Sequence, residues 1–327
     1  MKILIVGGTG NISSETARAL LEKGHDVTLL TRGTTAVEPP FGHLRADRYD
    51  PLAYGAALKN FKADCVVNFL GFTPVECRLD HELFRGKIGQ YIFISSATVY
   101  RKPHTRLPIT EDSPLGNPYS EYAQNKLECE EFLRSVQGPD FPVTVVRPSH
   151  TFGRAWIPSP LAGSDYTVAA RILTGRPIIV HDSGQSLWTL TACSDFARGL
   201  AALAGNAAAL GETFHITSDQ PLTWNCIYQE IGLALGRQAA IEYIPSPFLA
   251  EVYPAARAKL LGDKAEHGVF DNRKIKSFAP EFECVKTFRT AIRESVAWYD
   301  EDPIRKKVNP EQDRLQDDLI ARWRATR

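Results

Sequence analysis

Apolar and polar positions alternate in blocks along the first half of the chain. Ile3–Val6 is an aliphatic run cut off by Gly7-Gly8-Thr9-Gly10, and Ile12–Lys23 follows with Ala17, Leu20 and Leu21 at helical spacing. Short apolar runs at Val27–Leu30, Leu44–Ala46, Cys65–Phe69, Tyr91–Ser95 and Val143–Arg147 read as further buried strands. Pro51–Lys59 and Ser120–Ser135 read as helices between them. This alternation predicts an α/β fold built on a doubly wound parallel sheet covered on both faces. The segment between Phe72 and Gly89 is short and polar, which predicts an abbreviated helix.

After Arg147 the rhythm breaks, and Pro148, Pro158, Pro160 and Pro177 punctuate a loop-rich stretch. A helix at Ser194–Ala204 and a strand at Thr213–Thr217 then read as the chain re-entering the sheet. From Leu222 helical patterns dominate, at 223–235, 246–261 and 285–299. A last helix opens at Asn309-Pro310-Glu311 and carries Leu315, Leu319, Ile320 and Trp323 on one face.

The glycine turn is where chemistry first enters. A strand, a glycine turn and a helix start gather free backbone N–H groups and a positive dipole end where a pyrophosphate can sit. The expected organisation is a dinucleotide-binding domain over 1–150, re-entered at about 185–220, with a smaller, mostly helical substrate lobe from 151–184 and 221–327.

Tyr122 and Lys126 lie four apart on a predicted helix, about 400° of rotation and about 6 Å of rise, so both emerge on one face. An ammonium beside a phenol stabilises phenolate and is expected to draw its pKa down from about 10, suiting it to general acid/base work. Upstream, Ile92–Tyr100 is a buried strand ending in Ser95-Ser96, at the edge where a doubly wound sheet presents ligands. Ser96 is expected to hold the reacting oxygen, and Ser95 to belong to the strand end.

These pieces together resemble an extended short-chain dehydrogenase/reductase of the NAD-dependent epimerase/dehydratase family, relatives of UDP-glucose 4-epimerase. The matching segments are Gly7–Ser13, Ala46-Asp47, Phe69-Leu70-Gly71, Ser95–Tyr100, Tyr122–Lys126, Arg147–Gly153, Ser194–Ala197 and Gly211–Thr217. Leu29–Gly33 and the short fourth helix look most like an atypical branch with chloroplast stem-loop-binding proteins and bacterial reductase or epimerase homologues. The resemblance implies that Gly7, Gly10 and the backbone of Asn11-Ile12 carry the pyrophosphate of NAD or NADP, and that Asp47 accepts from the adenine amino group. It implies that Leu70-Gly71 border the ribose and Pro148-Ser149 the nicotinamide. Ser96, Tyr122 and Lys126 would be the catalytic group, Lys126 also holding the nicotinamide ribose. His150 falls where many relatives place a sugar-touching asparagine, and a strand-end loop histidine is an equal reading.

Three departures qualify this. Ser13 replaces the third glycine. Thr31-Arg32 stand where NAD-specific sites carry an acidic residue, which leans towards NADP because an arginine can meet a 2′-phosphate. Leu187-Trp188 occupy the region of the usual diphosphate-clamping arginine, leaving Arg154, Arg171, Arg176, Arg257 and Arg273 as other candidates.

The chain has 327 residues, with 38 Lys+Arg against 38 Asp+Glu, so no net field steers nucleic acid or an anionic membrane. Six cysteines without a C-x-x-C pair argue against zinc and a disulfide framework. No apolar run approaches a membrane span, and a strand beginning at residue 2 leaves no room for a signal peptide, so a cytoplasmic setting is expected. The first expectation is a sugar or nucleotide-sugar epimerase, the second a reductase or dehydrogenase; Ala97-Thr98 after Ser96 argue against elimination. An RNA-binding protein on the same fold is the rival from another class. A homodimer is expected from the resemblance.

Overall fold

A computed structural model describes residues 1–161 and 163–327. The alternating half forms β1 (Lys2–Val6), α1 (Asn11–Glu22), β2 (Asp26–Thr31), β3 (Gly42–Arg45), α2 (Pro51–Leu58), β4 (Cys65–Asn68), α3 (Pro74–Phe84), β5 (Gln90–Ile94), α4 (Glu121–Val136) and β6 (Val143–Pro148). With a returning strand at Thr213–Ile216 they make a seven-stranded sheet, ordered Thr213–Ile216, β6, β5, β4, β1, β2, β3. Every pairing in it is parallel.

The period of a strand explains how both faces are covered. Within β1, Ile3 and Ile5 point to one face, packing with Ala17 and Leu20 of α1 and Phe196 and Leu200 of the Cys193–Leu203 helix. Leu4 and Val6 point to the other, with Tyr54 of α2, Phe84 of α3 and Leu133 of α4. Because β1 lies between β2 and β4, the connections diverge there and leave a crevice beyond Val6 and Asn68.

Two expectations need correction. The helix after Phe72 is not abbreviated: α3 runs for 11 residues, and at its start the Glu76 carboxylate accepts from the Thr73 N–H at 2.9 Å. It reads as polar because its buried face carries Asp80 beside Cys77 and Phe84. The expected 246–261 helix is interrupted. Ser246–Val252 stops ahead of Pro254, whose ring cannot continue it, and the chain resumes as Arg257–Lys259 and a π-helical turn at Leu260–Lys264.

The second half also carries short strands. His150–Phe152, Leu187–Ala192 and Pro221–Thr223 form one small sheet, and Ile178–His181 pairs with Ile241–Ile244. The C-terminal helix, Pro310–Arg324, packs Leu315, Leu319, Ile320 and Trp323 with Leu161, Ile179 and Ile244. Among the described residues no helix is long and apolar enough to cross a membrane.

Candidate active site

A cleft of about 510 Å³ opens at the crevice beyond β1, lined by Gly7–Ser13, Thr31-Arg32, Asp47-Arg48 and Leu70 among others. Gly7 and Gly8 have φ of 107° and 113°, and a Cβ on Gly8 would come within 2.8 Å of Leu29. The turn therefore requires glycine, and it keeps side chains away from the start of α1. The first N–H groups of any helix lack partners within it, and here Asn11 and Ile12 offer theirs to the cleft. Ser13, in place of a third glycine, is 5% exposed, and its hydroxyl accepts from Gly10 N–H at 3.0 Å, so it braces the turn without filling it. A cradle without side chains at a helix N-terminus fits a dinucleotide pyrophosphate.

At the far wall, Thr31 Oγ1 pairs with His43 Nε2 at 3.0 Å and accepts from Gly33 N–H at 3.2 Å. Exposed Arg32 lines the cleft, and Arg45 Nε donates to Arg32 O at 3.2 Å, bracing its backbone. Asp47 lines the cleft and is oriented by Tyr49 N–H at 2.9 Å. Leu70 N–H donates to Asn68 Oδ1 at 2.7 Å, and a Cβ on Gly71 would press on Phe93 at 2.9 Å.

The helix face expected to carry Tyr122 and Lys126 does so. Ser120 caps α4 by accepting from Ala123 N–H at 3.2 Å, so both residues leave its first two turns. Lys126 is 1% exposed, and its Nζ donates to Gly71 O at 2.6 Å and Ile94 O at 2.7 Å. Ile94 ends β5 and Gly71 follows cleft-lining Leu70 in the loop after β4, so the amine joins that loop to the strand that delivers Ser96. Burial lowers the Lys126 pKa to about 8, against nearby thiols and carboxylates that raise it.

Ser96 Oγ accepts from Thr98 Oγ1 at 2.8 Å and Thr98 N–H at 3.2 Å, so its own proton is free to be donated. It lies in hydrogen-bonding reach of the Tyr122 phenol. Tyr122 retains 44% exposure, so a substrate can reach it. Its pKa departs from expectation: burial pushes it above the ordinary value, and the Ser96 hydrogen bond opposes this. Lys126 Nζ stands 5.9 Å from the ring centre and directs its protons to two carbonyls, so at this distance its charge does not outweigh the burial.

Pro148 ends β6 beside Ile216, and half-buried Ser149 follows it. The His150 ring packs, tilted, against Trp188 with centroids 3.9 Å apart and Trp156 at 4.9 Å, and burial drops its pKa to about 3, so it is a neutral, packed imidazole. Arg154 is not brought to Ser96 and Tyr122: it is exposed and faces Glu301 at 3.5 Å. Arg171 and Arg176 are taken by Asp313 and Asp317 of the C-terminal helix, and Arg273 by Asp271. Arg257 lies over the Tyr119 ring at 5.9 Å.

Sequence reasoning missed Arg48, Asn68 and Asp80. Arg48 Nη2 meets Asp80 Oδ1 at 3.0 Å and Glu76 O at 2.7 Å. Asp80 also accepts from Tyr54, Asn68 and Tyr91. A buried carboxylate needs such donors, but the contacts cross four elements and no local pattern announces them.

A family model described as the NAD dependent epimerase/dehydratase family matches residues 3–217. The chain is 27% identical to 2′-dehydrokanamycin reductase of Streptomyces kanamyceticus, covering 86% of this chain and 80% of that protein. It is 28% identical to the chloroplast stem-loop binding protein of 41 kDa b of Arabidopsis thaliana, over 98% of this chain and 84% of that one. In fold it is similar to the UDP-glucose 4-epimerase of Bifidobacterium longum solved with NAD+ and UDP, with TM-score 0.72, 19% identity and coverage of 93% and 99%.

Proposed function

The chain belongs to the NAD-dependent epimerase/dehydratase family, and from that premise we propose that it carries out NAD(P)-dependent redox chemistry at a carbinol carbon of a sugar or nucleotide sugar. The observation that carries this is the convergence of Ser96, Tyr122 and Lys126 beside Gly71, the residue that follows cleft-lining Leu70. The dinucleotide, when bound, supplies the hydride acceptor or donor. Ser96 steadies the substrate oxygen, and Tyr122 gives it a proton in reduction or takes one in oxidation. Lys126 stabilises the phenolate that appears when Tyr122 has given its proton. The turn at Gly7–Gly10 with Asn11 and Ile12 holds the pyrophosphate, Asp47 meets the adenine amino group, and Arg32 leans the site towards NADP.

Return of the hydride to the other face gives an epimer, and release of the new alcohol gives a reductase. Both use the same group. Epimerisation follows from the family, and the extended similarity to a reductase favours reduction.

Mass spectrometry of dinucleotide released from purified protein, followed by a panel of sugars and nucleotide sugars, tests the proposal. Tightly held NAD with no net redox change marks an epimerase, and NADPH consumed in proportion to product marks a reductase. Tyr122→Phe should lower turnover by about a thousandfold or more with dinucleotide affinity kept. Normal turnover by that variant would remove the assignment.

A further inference from the structure

Glu130 repeats the spacing that brings Tyr122 and Lys126 together. It follows Lys126 by four residues, as Lys126 follows Tyr122, so the three leave α4 along one face. Glu130 is 1% exposed, so no substrate reaches it, and the fold must satisfy its charge and both its oxygens. Oε1 accepts from Ser95 Oγ at 2.5 Å and from Arg147 Nε at 3.0 Å, and Oε2 accepts from Arg147 Nη2 at 2.6 Å. Arg147 is equally buried and sends Nη1 to Glu111 O at 3.1 Å.

These contacts join the segments that carry the candidate site. Ser95 immediately precedes Ser96, and its N–H donates to Val146 O at 2.8 Å. Arg147 precedes Pro148, the last residue of β6. A buried ion pair adds little net stability, because removing two charges from water offsets most of their attraction. What the pair supplies is direction: a planar fork met by both oxygens of a carboxylate fixes how α4 and β6 face each other. Resting on the reading of Ser96, Tyr122 and Lys126 as the reacting group, we propose that Glu130 is a positioning residue acting through Ser95 and Arg147. It sets the separation between the chain end that carries Ser96 and the helix that carries Tyr122. The Ser95 hydroxyl is then a link in the site as well as a strand-end group.

Ser95→Ala removes one hydroxyl and leaves the ion pair in place, so it tests the link with little risk to folding. With the substrate identified by the panel, kcat should fall about tenfold while the Kd of the dinucleotide stays unchanged, since a misplacement of about 1 Å at reacting atoms costs about a hundredfold. Glu130→Gln keeps the shape but loses the charge that holds the fork, and should cost about a hundredfold in kcat with the same unchanged Kd. Wild-type kcat in variants that merely melt earlier would mean that the network only supports the fold, and overturns the proposal. Equal losses in kcat and dinucleotide affinity would place the damage in the whole fold, and overturn it too. If Glu130→Gln fails to fold by circular dichroism, Ser95→Ala decides. Hydrogen exchange read by mass spectrometry needs no substrate. Ser95→Ala should speed exchange in peptides covering 95–100 and 121–130 and leave those covering β1 and α1 as they are; unchanged exchange in the first two overturns the proposal. Should the wild-type protein turn over no member of the panel, the redox reading falls, and the exchange result decides by itself whether Glu130 sets these segments.

Discussion

Lys126 shows how one side chain can be both structural and chemical. Its amine closes the gap between two strand ends through Gly71 O and Ile94 O, and burial brings its pKa to about 8. Below that value it is an ammonium that can stabilise a Tyr122 phenolate; above it the charge is lost. In the direction of carbonyl reduction, kcat/KM should therefore fall as pH rises through about 8. Lys126→Arg, whose cation does not titrate in this range, should be slower at neutral pH but lack that limb. A wild-type profile flat to pH about 10, near the ordinary lysine value, would show that the charge of Lys126 plays no part. The placement of the three residues proposed to be catalytic was legible in the sequence because Tyr122 and Lys126 share a helix face and Ser96 follows a strand. The direction of the Tyr122 shift was not, since it depends on where the Lys126 protons point. Nor was the fate of the arginines: Arg154, Arg171 and Arg176 meet carboxylates that only the folded chain brings to them.

At the scale of elements, α4 carries two of the three side chains proposed to be catalytic, and its start decides where they stand. Ser120 accepts from Ala123 N–H at 3.2 Å and so satisfies one of the donors that open the helix. Ser120→Ala should cost about 1 kcal/mol in urea unfolding, and Ser120→Asp should restore it, because aspartate caps as well and meets the positive helix end. An unchanged midpoint for Ser120→Ala would mean that packing alone fixes this terminus. The elements of the parallel sheet were legible because strands covered on both faces read as unbroken aliphatic runs, as at Ile3–Val6. α3 was underestimated because its inward face holds Asp80, a charge satisfied by Arg48, Tyr54, Asn68 and Tyr91. Binary patterning treats every charged residue as solvent-facing and cannot register a buried network. The small strands at His150–Phe152 and Pro221–Thr223 are three residues each, too short for alternation to declare itself.

Across the whole molecule, the cleft is closed by segments from both sides of the point where the sequence rhythm breaks. Thr151 lines it together with the glycine turn, and the Asn11 side chain stands 3.5 Å from where a Cβ on Gly153 would be. A dinucleotide seated there braces contacts from both halves of the chain, so its binding should appear as global stability. A ligand at 100 times its Kd adds about 2.7 kcal/mol, and for a chain of 327 residues this raises Tm by about 4 °C. Which dinucleotide does so bears on the far wall, where Arg32 is exposed and Arg45 joins it through the Arg32 carbonyl. An exposed guanidinium at this rim favours a 2′-phosphate over a bare ribose diol. At equal concentration NADP+ should therefore raise Tm more than NAD+. Arg32→Ala, at an exposed position, should erase the excess by weakening NADP+ about tenfold while leaving the NAD+ shift in place. If NAD+ matches or exceeds NADP+ in the wild-type protein, Arg32 is simply solvated, and the phosphate preference inferred from Thr31-Arg32 falls while the redox chemistry of Tyr122 stands.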